Sequence, residues 1–161
     1  MSGIGGHQSA VSKTDEWLTP KYIIDQLGPF DLDPCAPEER PWRTADRHYT
    51  FQDNGLLKEW DGYVWMNPPY GQQTEAWLNR ISMHGNGIAL VFARTETRMF
   101  FESVWGRAEA IFFIKGRLYF YNTKGERASA NSGAPSCLIA YGSYAREKLK
   151  HCEIKGQYIE L

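Results

Sequence analysis

Cysteine is scarce in this chain: 161 residues hold three, Cys35, Cys137 and Cys152, and no two form a C-x-x-C pair. An odd and scattered set argues against a disulfide framework and against a Cys-ligated structural zinc, so no metal is expected. A reducing cytoplasm fits such cysteine usage best. No apolar stretch approaches the ~20 residues of a membrane-crossing helix, so no membrane partner is expected. No signal peptide, internal repeat or low-complexity tract is visible. An excess of charge is missing too. The net charge is −1 and the pI about 6.4, so bulk electrostatics do not announce a nucleic-acid binder.

What is present is an ordinary globular balance, 42% hydrophobic and 23% charged, in a length that suits one domain. Residues 1–13 are rich in Gly and Ser and read as a flexible arm, leaving 14–161 as a single domain. Aromatics reach 14%, with 6 Trp; they serve equally as core material and as surfaces for stacking flat rings. Acidic residues dominate the early part (Asp15, Glu16, Asp31, Asp33, Glu38, Glu39). Basic residues lead later (Arg94, Arg98, Arg107, Lys115, Arg117, Lys124, Arg127). The second half thus builds either a basic face or a solvated mixed surface.

Thr19-Pro20 has the form of a helix start, with Thr19 as N-cap and Pro20 in the first turn, and Gly28-Pro29 ends that helix. Phe30-Asp31-Leu32-Asp33 reads as a short strand. The stretch 34–49 is irregular, and a small helix is expected over 55–60. A strand over 62–67 is followed by a helix over 72–83 and by the continuous apolar run Ile88-Ala89-Leu90-Val91-Phe92, a buried parallel strand. A helix over 96–105, capped by Thr95, precedes strands over 108–114 and 116–121. An exposed loop over 122–133, a strand over 135–141, a helix over 143–150 and a short final strand complete the order. Strands alternating with helices give an α/β sheet, and late strands without helices between them give an antiparallel edge hairpin.

Asn67-Pro68-Pro69-Tyr70 closes the strand 62–67. By itself the tetrapeptide also reads as a turn after a strand. Chemically it suits the holding of a planar amino group. The Asn67 side-chain oxygen and the Pro68 carbonyl are two acceptors, Pro68 and Pro69 supply no competing amide hydrogens, and Tyr70 offers a ring to stack on a base. Such a site takes the two hydrogens of an exocyclic amine and aims its lone pair at an electrophilic methyl group.

In open α/β sheets, ligands sit at the carboxyl ends of strands. Three further elements reach that edge. Asp33-Pro34-Cys35-Ala36 ends the first strand with a carboxylate that suits an ammonium. Thr19-Pro20 stands at a helix N-terminus that suits a carboxylate. Asp53, ahead of Gly55-Leu56, suits an adenine amino group. Each has an ordinary structural role as cap, strand exit or loop acid, but together they match the amino-acid, ribose and adenine parts of S-adenosylmethionine.

The chain resembles the phage-type N6-adenine DNA methyltransferases, small enzymes encoded by bacteriophages and prophages. The resemblance lies in Asp15-Glu16-Trp17-Leu18-Thr19-Pro20, Phe30-Asp31-Leu32-Asp33-Pro34-Cys35-Ala36, Asp53, Gly55-Leu56, Trp60 and Trp65-Met66-Asn67-Pro68-Pro69-Tyr70-Gly71. It continues in Ala93-Arg94-Thr95-Glu96-Thr97, Gly116-Arg117-Leu118-Tyr119-Phe120 and Ala134-Pro135-Ser136. It implies a minimal Rossmann-like methyltransferase sheet, mostly parallel, with S-adenosylmethionine as donor and adenine in DNA as acceptor. It places Trp17, Thr19 and Pro20 on the cofactor, with Thr19 and Pro20 toward its carboxylate. Asp33, Pro34, Cys35 and Ala36 would line its amino-acid and ribose parts, and Asp53 would lie near its adenine. Asn67, Pro68, Pro69 and Tyr70 would hold the target base.

Two departures from the wider superfamily stand out. Pro37 and Glu38 occupy the place of a Gly-rich turn, and the interval from Asp33 to Asn67 is short for a second βα unit. The usual ribose-binding acid at the end of the second strand then has no clear counterpart, and Asp46 is a weak candidate for it. For DNA contact, Arg94, Arg98, Arg117, Lys124 and Arg127 are the candidates, led by Arg117, with 122–133 as the contacting loop. Rival readings are methylation of RNA or of a protein amide, and a non-catalytic nucleic-acid-binding module on the same fold.

Overall fold

The computed structural model describes residues 17–161. The expected N-terminal arm, 1–13, lies outside them. Seven strands form one sheet: β1 (Leu32–Asp33), β2 (Arg47–His48), β3 (Val64–Met66), β4 (Gly87–Phe92), β5 (Ala110–Ile114), β6 (Ser136–Tyr141) and β7 (Gly156–Glu160). Their order across the sheet is β2-β1-β3-β4-β6-β5-β7. β2, β1, β3 and β4 are mutually parallel, and β6 runs antiparallel to both β4 and β5. β7 is antiparallel to β5 at the outer edge. Five strands therefore point one way. The antiparallel part is larger than the expected edge hairpin, because β6 is threaded into the interior of the sheet.

Helices cover both faces. On one face α1 (Lys21–Leu27) and α4 (Ser143–Lys150) pack Ile23, Leu27, Ala145 and Leu149 against Trp65, Ile88, Leu90 and Leu138. On the other, α2 (Thr74–His84) and α3 (Arg98–Phe100), which continues as a π-helical turn over Phe101–Trp105, pack Leu78, Ile81, Phe100 and Val104 against Val64, Met66, Val91 and Ile139. A strand covered on both faces is apolar throughout rather than alternating. This is why the run at β4 is continuous.

Several boundaries differ from the sequence expectation. Thr19 does not cap α1: Pro20 stands at the cap position and no side chain bonds the first turn. The cap of α3 is Thr97, whose Oγ accepts from the Phe100 amide at 3.4 Å, and not Thr95. Residues 116–121 form no sheet strand, because both edges of β5 are already occupied by β6 and β7. Instead Tyr121 exchanges backbone bonds with Leu18 (2.8 and 3.0 Å), and the chain returns through Ala128→Phe120 (2.8 Å) and Ser132→Leu118 (2.8 Å). The expected loop 122–133 is thus the turn and return arm of an irregular hairpin. Finally, the stretch 34–49 contains the two-residue strand β2, entered without a helix and followed by two 3-10 turns, Phe51–Asp53 and Gly55–Leu57, the second of them within the small helix expected over 55–60.

Candidate active site

From β1 the chain crosses to β2 on one side and then returns to β3 on the other. That reversal opens a crevice at the carboxyl ends of β1 and β3, the usual ligand position in an open α/β sheet. Asp33 is the last residue of β1 and Asn67 follows the last residue of β3. A cavity there is lined by Trp17, Leu18, Thr19, Asp33, Cys35, Pro37, Thr44, Trp65 and Asn67. The space in it open to a water molecule is about 10 Å³. That is roughly the space of one water, so only an end group of a larger ligand fits there.

The acidic corner is built around Asp33, which is buried. One carboxylate oxygen accepts from the Cys35 amide at 3.2 Å and the other from the Thr44 hydroxyl. Burial pushes the Asp33 carboxyl up to about 6, against smaller lowering effects of Thr44, Cys35 and Arg40. A buried carboxyl with this bias gains most from a cationic partner. The donor set, a carboxylate with a hydroxyl on Thr19 nearby, fits the ammonium end of an amino-acid ligand. Next to it, burial and the Asp33 charge keep the Cys35 thiol protonated. The thiol donates to the Asn67 carbonyl at 3.4 Å.

The acceptors of the Asn67-Pro68-Pro69 segment are selectively used. The Asn67 carbonyl takes Cys35, and the Pro69 carbonyl takes the Thr74 hydroxyl at 2.6 Å. The Asn67 Nδ2 donates to Thr19 Oγ at 3.2 Å. Among the described residues no donor reaches the Pro68 carbonyl or Asn67 Oδ1. Two acceptors are left open, and they are the pair that the sequence singles out for an amine. Tyr70, 38% exposed, lies parallel to Phe92 with ring centroids 4.3 Å apart and 7° between planes. Phe120 meets it edge-on at 6.4 Å. Phe92 ends β4, and in the sequence it reads only as part of a core strand. Its place at the carboxyl end of a parallel strand is the signal that marks it as a site residue.

Asp53 does not line that cavity. Its carboxylate closes a capping box, accepting from the Thr50 amide at 2.8 Å and the Thr50 hydroxyl at 3.3 Å. The following turn is drawn under β1: a Cβ on Gly55 would stand 2.0 Å from the Pro34 carbonyl, so only glycine fits. Trp60 Nε1 fixes that turn by donating to the Gly55 carbonyl at 2.9 Å. Asp46 is not at this edge. It precedes β2, at the amino end of that strand, and lines a different cleft with Asp25 and Arg43.

Of the expected DNA-contacting cations, Arg94 stays close to the Tyr70–Phe92 stack, its guanidinium 5.8 Å from the centre of Phe92. Arg127 lies over Tyr119 at 3.9 Å, while Lys124 and Arg117 project from the hairpin and are exposed. Arg98 points elsewhere, into a two-pronged pair with Glu75 at 3.1 and 2.9 Å.

The sequence pattern of the family described as DNA N-6-adenine-methyltransferase (Dam) matches residues 6–154. The chain belongs to this family. It is an enzyme that methylates adenine in DNA at N6, which requires a methyl donor. A DNA N-6-adenine-methyltransferase of Haemophilus phage HP1 is 26% identical over 160 residues, covering 93% of this chain and 89% of the phage protein. No solved structure matches the chain. Among the described residues no helix is long and apolar enough to cross a membrane.

Proposed function

We propose that the methyl donor is S-adenosylmethionine, that the sheet is a minimal Rossmann-like methyltransferase fold, and that residues 14–161 form one catalytic domain acting on DNA in a bacterial host cell. The observation that carries this reading is the hydrogen-bond accounting of the Asn67–Pro69 turn, which leaves Asn67 Oδ1 and the Pro68 carbonyl open beside the buried Asp33. Asp33, Pro34, Cys35 and Ala36, with Trp17, Thr19 and Pro20, would hold the donor's amino-acid end, and Asp53 its adenine side. When bound, S-adenosylmethionine supplies a sulfonium methyl group.

The protein's own groups prepare the acceptor. Asn67 Oδ1 and the Pro68 carbonyl accept the two N6 hydrogens of the adenine, drawing that nitrogen from planar toward pyramidal and localising its lone pair. No strong base is needed ahead of transfer, because the nitrogen becomes acidic only as it gains the methyl. Alignment of the amine supplies much of the acceleration. Tyr70, backed by Phe92, stacks on the base, which must leave the helix if the DNA is duplex. Arg94, Arg117, Lys124 and Arg127 face the DNA, and Arg98 joins them only by releasing Glu75.

The test is transfer of tritiated methyl from S-adenosylmethionine to DNA, RNA and bulk protein. Label in DNA alone, recovered as N6-methyladenine, is the expected result; label confined to RNA or protein would refute the acceptor assignment. Sequencing the genome of an expression host for N6-methyladenine would then give the recognition sequence.

A further inference from the structure

We infer that Thr19 is a positioning residue for methyl transfer: it holds the Asn67 amide with its oxygen turned toward the target amine. This rests on the reading of Asn67 as the amine's acceptor. An Asn amide offers an acceptor at one end and two donors at the other, and a half-turn about its last torsion exchanges them. Only one orientation accepts from an amine; the other sets N–H against N–H. Thr19 Oγ accepts from the Nδ2 end at 3.2 Å and satisfies it in the orientation that turns Oδ1 to the amine; a hydroxyl also donates, so Thr19 anchors the amide and the hydrogens of the arriving amine complete the choice.

Thr19 is built to hold that contact. The residue is 2% exposed, so water does not compete for the bond. Its hydroxyl is not spent as a helix cap, although a threonine ahead of Pro20 ordinarily would be. Its backbone is clamped by the two Leu18–Tyr121 bonds on one side and the start of α1 on the other. The Asn67 backbone is held as well, through the Cys35 thiol on its carbonyl. With the backbone held and the amide anchored, part of the aim of Oδ1 is set before the base arrives, and orientation paid in advance lowers the barrier rather than the ground state. The same contact ties the end of β3 to the hairpin that carries Phe120, since Tyr121 is what holds Leu18.

Thr19→Val keeps the shape and removes the acceptor. At saturating donor and DNA it should lower kcat by about 10-fold, the scale of one misdirected hydrogen bond, and Thr19→Ser should return kcat to within about 3-fold of the parent. Parental kcat in Thr19→Val, or a loss that Thr19→Ser does not restore, overturns the inference. Retention of kcat by Asn67→Ala instead overturns the underlying reading of Asn67. If Thr19→Val does not fold, the unaltered protein still decides. The Asn67 side-chain amide is assigned in a 15N NMR spectrum by its disappearance in Asn67→Asp. One of its hydrogens should be protected from exchange; two hydrogens exchanging as in a free amide refute the proposal.

Discussion

β1 and β3, which end at the cavity, are short, and the strands behind them are long. β1 and β2 have two residues each and β3 has three, whereas β4 and β6 have six and β5 has five. The short side has few ladder bonds, and loop bonds replace them: the Asp31 carboxylate accepts from the Tyr63 amide at 2.7 Å, and Trp60 holds the Gly55 turn. The long side pairs β4 with β6 over six consecutive positions, nearly all buried. Local opening costs least where few buried contacts and ladder bonds resist it. The ligand-handling edge is therefore placed where small movements are cheap, and the β4–β6–β5 block supplies rigidity. Phe92 joins the two, as the last residue of the long strand β4 and the stacking partner of Tyr70.

Substitutions on the two sides should separate activity from stability. Asn67→Ala removes an open acceptor on the short side. We expect methylation to fall by at least ~100-fold, the scale of one key transition-state contact, with donor binding retained and the melting transition little changed; steady-state kinetics, calorimetry and thermal melting check the three parts. On the long side Leu138 is fully buried at the centre of β6. Leu138→Ala should destabilise by about 2–5 kcal/mol, read from urea unfolding, while the fraction that remains folded keeps its kcat. A Leu138 variant that lost kcat without losing stability would dissolve the division between scaffold and site.

The division also governs how much is legible in the residues alone. The β4 run and the Asn67 turn are local signals, an unbroken apolar stretch and a Pro-Pro stop, and both appear where expected. β6 running between β4 and β5 is a non-local pairing that no local pattern encodes. The same competition removes the strand at 116–121, whose composition suits a sheet but which finds no free edge. Thr19 is the instructive case at the site. Its neighbour Pro20 makes it look like a cap, and only the three-dimensional approach of Asn67, 48 positions later, shows what its hydroxyl does. The Phe92–Tyr70 stack is hidden for the same reason. Asp33 is visible as a strand-end acid, but its burial with Thr44 is not, since Thr44 lies in a stretch with no periodicity.

Asp33 gives the comparison a pH dependence. Its carboxyl is raised to about 6 in the fold, whereas an unfolded Asp ionises near ~4. Between these values the native state holds a proton that the unfolded chain has released, so stability is full below pH ~4 and falls as pH rises through about 6. The shift corresponds to roughly 2–3 kcal/mol. Asp33→Asn should flatten this part of the stability profile, measured by urea unfolding at a series of pH values. Donor binding should show the opposite slope. An ammonium favours the ionised carboxylate, so affinity for S-adenosylmethionine should rise from pH 5 to 7, and a flat calorimetric profile would separate Asp33 from the donor.

The smallest effects are expected from two arginines four residues apart. Arg94 follows the end of β4, with no carboxylate among the described residues bonded to it and its guanidinium near Phe92. Arg98 sits one turn further on, on the face where α3 meets α2, held by both oxygens of Glu75 and with Glu102 at 3.9 Å. A cation already matched by carboxylates has little net field to offer a phosphate, and it must break its pair to make the contact. Arg94→Ala should weaken DNA binding at all sequences and lower the slope of log affinity against log salt by about 1. Arg98→Ala should leave that slope unchanged. Glu75→Ala tests the reason directly, because it frees Arg98 without touching the site; DNA binding should tighten and become more salt-dependent. Equal slopes for the two arginine variants would mean that α3, and not only the end of β4, lies against the DNA.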